Sequence, residues 1–432
     1  MALDAALRQR ASYQRPIQVA LVGAGVTGRA IALQLLTPPP GIRLAAVVNR
    51  TPSRALQAFQ AFQEAGVPRV REVGTAAELQ RTIEAGQHAV TGDVAVVCGA
   101  GAIDVIVEAT GTIEFAAGVT EQAIAGGKHV VLVNAELDST LGPILASRAT
   151  RAGLVLTNTD GDEPGVAMTL LRYLRSLGLR PVGAGNIKGI VDYYRTPETQ
   201  RAFAERYGQD ARKVTSFADA TKLSMEATIL ANATGFGVGR RGMYGPACSH
   251  VSEVAGLLPA DELLANGLVD YALGAAPHTG AFVIIHEPDA RKRHHLAYYK
   301  LGDGPFYVFH TPFHLPHIQI AATIGRAVLS SDATVAPLAG PVCEVVTVAK
   351  RDLRTGELLD GVGGFTSYGL IESAADARRG DALPMGLSEG CVLKRGVPKD
   401  AVIRQDAVTR PASRRADALW AEQAVRWPVG TP

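Results

Sequence analysis

Asp219, Lys222 and Glu226 stand at i, i+3 and i+7 in a sequence of 432 residues, a spacing that places all three on one face of a helix. A lysine beside carboxylates in a closed cleft can be tuned to give or take a proton, as a carbonyl requires when hydride arrives and an alkoxide forms. Leu223, Met225, Ile229 and Leu230 make this helix mostly buried, where a lysine is costly unless paired. Lys222 is therefore the leading general acid, with a solvated salt-bridged helix face as the competing reading. Asp160-Gly-Asp162-Glu163-Pro164 adds carboxylates between a strand and a helix, at a sheet edge of the kind where open α/β proteins bind ligands. Asp162 and Glu163 suit helix capping before a first-turn proline. With Glu226 they also suit a divalent metal ion that would polarise a carbonyl, and both readings stay open. Lys188, between Gly185 and Gly189, fits either a substrate phosphate or carboxylate or a solvated turn. His294, His295, His310, His314 and His317 lack the paired spacing on one helix that zinc requires.

A second constellation lies near the N-terminus. Gln18-Val-Ala-Leu-Val-Gly23-Ala-Gly25-Val-Thr-Gly28 and the apolar-periodic run to Leu36 read as buried strand, glycine turn and helix. Gly23 permits the tight turn, Gly25 lets backbone approach a pyrophosphate, and Gly28 allows close helix packing, while Val26 and Thr27 open the helix toward the phosphates. A second strand, Arg43 to Val48, ends where a dinucleotide fold meets the adenine ribose. That place holds Asn49-Arg50-Thr51 in place of an acidic residue. Arg50 can pair with a 2′-phosphate that a carboxylate would repel, so NADPH (NADP) is favoured over NADH. Thr110, Gly111 and Asn134, at the ends of two further buried strands, complete the cofactor-binding set.

These residues need an α/β frame to hold them. Alternating strands and helices predict a Rossmann doubly wound parallel sheet over residues 1–155. An α/β substrate domain follows over 156–335, with strand runs Leu154 to Asn158, Val182 to Ile190, Ala281 to His286 and Tyr307 to His310, and helical runs Ala167 to Leu177 and Phe217 to Asn232. A helix near 318–329 is expected to pack back on the first domain. Residues 336–410 read as short strands joined by polar turns, and 411–432 as a tail.

Glu108-Ala-Thr-Gly111 and Gly127-Lys-His-Val-Val131, with the Rossmann start, resemble homoserine dehydrogenases. The likeness is closest to the subgroup with an extra C-terminal domain. It extends through Gly161-Asp-Glu-Pro164, Asp219 to Glu226, Ala231-Asn-Ala-Thr-Gly235, Met243-Tyr-Gly-Pro246, Gly302-Asp-Gly-Pro305 and Pro312-Phe-His-Leu315. Some members of that subgroup are 1-deoxy-D-xylulose 5-phosphate reductoisomerase-like, which implies reduction of a phosphorylated ketose with coupled isomerisation. Glu136 stands where homoserine dehydrogenases carry a lysine, and Gly185 to Tyr194 replaces their Asn-Gly-Thr-Thr-Asn segment, so homoserine itself is disfavoured. Residues 336–410, through Arg351 to Gly364 and Lys394 to Arg404, resemble the β-rich SAF-like (β-clip) domain.

The remaining composition narrows the function classes. Lys plus Arg number 43 against 41 Asp plus Glu, which provides no field of one sign to capture nucleic acid or an anionic membrane. Four scattered cysteines, Cys98, Cys248, Cys343 and Cys391, suggest neither disulfides nor thiolate zinc. Met1 to Arg15 lacks the apolar segment of a secretory signal, and no window is long and apolar enough to span a bilayer. A cytoplasmic enzyme with a small-molecule substrate, working as a homodimer as similar proteins do, is the expectation. The alternatives are a dehydrogenase of another small hydroxy or carbonyl metabolite and a non-catalytic NADP-binding sensor or scaffold.

Overall fold

The computed structural model describes residues 2–37, 40–60, 69–338 and 340–428. They form two compact units. The first takes the chain up to Asp138, then Ile144–Asp162 and Leu315–Ala336; the second takes Ser139–Pro143, Glu163–His314 and the chain from Pro337 on.

In chain order the first unit runs α1 (Leu3–Ser12), β1 (Ile17–Val22), α2 (Val26–Leu36), β2 (Ile42–Val48), α3 (Pro52–Gln60), β3 (Val70–Glu72), α4 (Ala76–Glu84), β4 (His88–Thr91), α5 (Val94–Gly99), β5 (Val105–Glu108), α6 (Glu114–Ala125), β6 (His129–Leu132), α7 (Ala135–Arg151) and β7 (Leu156–Asn158). Seven strands lie in the order β3-β4-β2-β1-β5-β6-β7, every pair parallel. Strands of a parallel sheet covered on both faces must be apolar throughout, which is why Ile17, Val19, Leu21, Leu44, Val47, Val105 and Val107 form an unbroken buried core. Leu154 to Asn158, expected to open the second domain, instead supplies the edge strand β7, hydrogen-bonded to β6. The helix Ile320–Ser330 packs on β6, β7 and α1, with Ile320 and Ile324 in the same core.

The second unit runs α8 (Glu163–Ser176), β8 (Arg180–Lys188), α9 (Arg201–Arg206), α10 (Ala211–Ala218), α11 (Thr221–Thr234), α12 (Ala260–Ala265), β9 (Leu268–Leu273), β10 (Ala281–His286), α13 (Ala290–Tyr298) and β11 (Phe306–Thr311), then β12 (Cys343–Ala349), β13 (Ser367–Ser373), β14 (Val392–Leu393) and β15 (Val408–Thr409). Its main sheet has the order β11-β10-β8-β9, with β8 and β9 parallel and the other pairs antiparallel. Ile187, Phe282 and Ile284 pack into the core on one face; α8 and α11 cover the other. Gly185 lets β9 come close, since a Cβ there would sit 1.6 Å from the Asp270 carbonyl oxygen. The hairpin β12/β13 packs on α11, so the residues after 337 belong to the same compact unit as the substrate-domain sheet. The tail folds as a helix, Arg415–Arg426.

One expected helix is two. The run Phe217 to Asn232 breaks between α10 and α11 at Ala220, whose backbone is left-handed (φ 71°). Asp219 therefore caps the end of α10 and does not share the helical face of Lys222 and Glu226. Among the described residues no helix is long and apolar enough to cross a membrane.

Candidate active site

The first unit supplies a nucleotide cradle. Gly23 sits at φ 109°, and a Cβ on Gly28 would lie 2.1 Å from the Gly23 carbonyl oxygen; the turn closes only with glycine at both places. A Cβ on Gly25 would meet nothing within 4 Å. Gly25 caps α2 without a side-chain acceptor, so the first N–H groups of the helix, at Val26 and Thr27, face space that a pyrophosphate fits. Asn49 Oδ1 accepts from Thr51 N at 3.0 Å, shaping the turn after β2. Arg50 is exposed and has no acidic partner among the described residues.

Thr110 and Asn134, two of the expected cofactor-binding residues, share one neighbour. Both side chains turn to the buried Glu108: Thr110 through its hydroxyl and its N–H, the latter at 2.9 Å, and Asn134 through Nδ2 at 2.7 Å. Glu108 did not stand out as a site residue in the sequence; an acidic residue closing a buried parallel strand was the available signal.

In the second unit, the face of β8 that carries Asn186 and Lys188 meets α8 and α11. Lys188 Nζ lies 2.7 Å from Glu163 Oε1 and 3.3 Å from Glu226 Oε2. Asn186 donates to the same Glu226 oxygen at 2.8 Å, and Lys222 Nζ stands 3.7 Å from Glu226 Oε1. His314 Nε2 is 3.7 Å from Glu163 Oε1, with its Nδ1 3.0 Å from Thr279 Oγ1. Lys188 is thus an inward-facing strand residue and no solvated turn. Burial alone would raise the Glu163 carboxyl, but the Lys188 ammonium holds it far below the usual carboxylate range. Burial opposes charge on Lys188 too, and Glu163 and Glu226 overcome it, holding the ammonium above the usual lysine range. An ammonium whose charge is favoured thus stands between two buried carboxylates.

One expected member lies elsewhere. Asp219 pairs with Lys350 at 2.9 Å, 131 residues further along the chain. Asp162 is buried and directly precedes Glu163 in the chain. Asn186 and Thr279 joined the cluster without a motif of their own, although Asn186 precedes Lys188 by two on a strand and so shares its face; His314 belongs to the Pro312-Phe-His-Leu315 segment.

The family described as "Homoserine dehydrogenase, NAD binding domain" matches residues 23–156, and "Oxidoreductase DRL, catalytic domain" matches residues 161–320. The chain is an NAD(P)-dependent oxidoreductase whose nucleotide-binding part is similar to that of homoserine dehydrogenases. It takes a nicotinamide cofactor, and the glycine turn with open space before Gly25 fits one. Among curated proteins none matches this oxidoreductase. Similar solved structures include the apo scyllo-inositol dehydrogenase of Lactobacillus casei, 11% identical over 74% of this chain and 89% of that one, with a TM-score of 0.42. A probable dehydrogenase of Thermotoga maritima is 11% identical over 73% and 90%, with a TM-score of 0.41. An NAD binding oxidoreductase of Klebsiella pneumoniae is 18% identical over 41% of this chain and 44% of that one, with a TM-score of 0.29. The oxidoreductase thus spans less than half the length of the Klebsiella protein. No substrate is carried over from these likenesses.

Proposed function

We propose that this oxidoreductase reduces a small polar carbonyl compound with NADPH, and that Lys222 delivers the proton to the forming alkoxide. The observation that carries the proposal is the pair of lysines on Glu226. Lys188 is locked between two carboxylates and held protonated, which suits charge stabilisation and not proton transfer. Lys222 Nζ stands 3.7 Å from Glu226 Oε1, and a lysine beside a carboxylate in a closed cleft can supply the proton that a forming alkoxide takes. The reduced nicotinamide supplies hydride to the carbonyl carbon; Lys222 supplies the proton to the oxygen, and an alcohol leaves. Lys188, fixed by Glu163 and Glu226, keeps the site positive as negative charge develops on that oxygen.

The resemblance to reductoisomerase-like proteins favours a phosphorylated ketose with coupled isomerisation. The exposed Arg50, with no acidic partner among the described residues, supports NADPH. The oxidoreductase works as a homodimer in the cytoplasm on this reading.

The test is NADPH oxidation at 340 nm against 1-deoxy-D-xylulose 5-phosphate, aspartate semialdehyde and other small carbonyl compounds, with and without magnesium or manganese. Turnover of the phosphorylated ketose that disappears in Lys222→Ala supports the whole proposal. Silence on every compound while NADPH still binds rules out both named substrates.

A further inference from the structure

We propose that Glu108 is a positioning residue for the nicotinamide half of the cofactor. Strand order reverses between β1 and β5, and a dinucleotide lies across the crevice at that point, its adenosine half over β1 and β2 and its other half over β5 and β6. Glu108 closes β5, and its neighbours across the sheet, Val22 and Leu132, close β1 and β6. The carboxylate therefore sits directly under the second half of the crevice.

A parallel strand needs only apolar side chains here, and a fully buried glutamate costs stability unless every oxygen is served. Glu108 is 0% exposed, and burial raises its carboxyl against the hydrogen bonds from Thr110 and Asn134. Those bonds tie two separate turns to one side chain. Thr110 N and its hydroxyl donate to one carboxylate oxygen, and Asn134 Nδ2 donates to the other. Asn134 Nδ2 also reaches Thr112 O at 2.9 Å, and its Oδ1 accepts from Leu137 N at 3.0 Å, capping α7. One buried carboxylate thus sets the turn after β5 and the start of the helix after β6. The turn after β2, which would meet the adenosine ribose, is shaped by Asn49 and Thr51 and not by Glu108.

Glu108→Gln must turn an amide N–H against one of these donors. The experiment titrates wild type and E108Q with NADPH and NADH by fluorescence, and with the adenosine fragments 2′,5′-ADP and AMP by calorimetry. Dinucleotide affinity is expected to fall roughly ten- to a hundredfold, the effect of leaving buried donors unserved, while fragment affinity stays within about twofold. Parallel loss for dinucleotide and fragment assigns Glu108 to general folding and overturns the proposal, as does undiminished dinucleotide affinity. If E108Q does not fold, Thr110→Val removes one donor at nearly constant volume, and the same comparison decides.

Discussion

Lys350 Nζ donates to Asp219 Oδ2 at 2.9 Å with both side chains buried. The same ammonium reaches Arg195 O at 2.7 Å and Gly364 O at 2.9 Å, and Gly369 N donates to Thr221 Oγ1 at 2.8 Å. The hairpin β12/β13 thereby grips the first turn of α11, the helix that carries Lys222 and Glu226. Lys350→Met strands a buried carboxylate and is expected to cost about 3–5 kcal/mol, read as a lower urea midpoint with unchanged slope. Adding Asp219→Asn removes the stranded charge and should restore most of the loss. Equal instability of the single and double variants would show that the pair does not act as a unit.

Lys222→Ala should lower kcat by roughly 10²- to 10⁴-fold, the usual contribution of a positioned proton donor. NADPH affinity, set in the other unit, should not change. Steady-state kinetics beside a fluorescence titration separates the two, and a variant that keeps its kcat would remove Lys222 from the chemistry.

Gly25 and Gly28 should respond differently to the same methyl group. Gly28→Ala drives a Cβ to 2.1 Å from a backbone oxygen and is expected to destabilise the fold by about 1–3 kcal/mol or more. Gly25→Ala meets nothing within 4 Å, so its melting temperature should match wild type while NADPH affinity drops about tenfold or more, because the methyl enters the pyrophosphate's space. A thermal melt and a cofactor titration of both variants give the comparison.

Arg50→Asp should invert cofactor preference. A 2′-phosphate would then face a carboxylate, so the KM for NADPH should rise at least about tenfold while that for NADH holds or improves. No change in the ratio would mean that Arg50 does not touch the ribose.

Asp270 gives the second unit a pH signature. Burial pushes its carboxyl up to about 6 despite bonds from the N–H groups of Gly245, Tyr244 and Tyr271. The native state then binds more protons than the unfolded state between about pH 4 and 6, and stability falls as pH rises through that window. Asp270→Asn removes the slope. The stability difference between wild type and variant should change by up to about 3 kcal/mol between pH 4 and pH 7, measured by urea unfolding at each pH; a constant difference would contradict the raised carboxyl.

The dinucleotide fold and its glycine turn were legible along the chain, because these rest on local facts. A strand buried on both faces must be a continuous apolar run, and Gly23 and Gly28 are required by a backbone torsion and a close approach within six residues. The place of Arg50 is likewise counted along the chain from that turn. Lys188 and Lys222 were visible as candidates, but which carboxylates each would meet was not. Tertiary structure decided that Lys188 lies between Glu163 and Glu226, that Asn186 orients Glu226, and that Asp219 leaves the group for Lys350. Helical spacing predicts which residues share a face only while the helix continues, and Ala220 ends it one residue after Asp219. Ion pairs in a low-dielectric interior go to whichever partner the packing brings within reach, and for Asp219 that partner comes from a hairpin more than a hundred residues away.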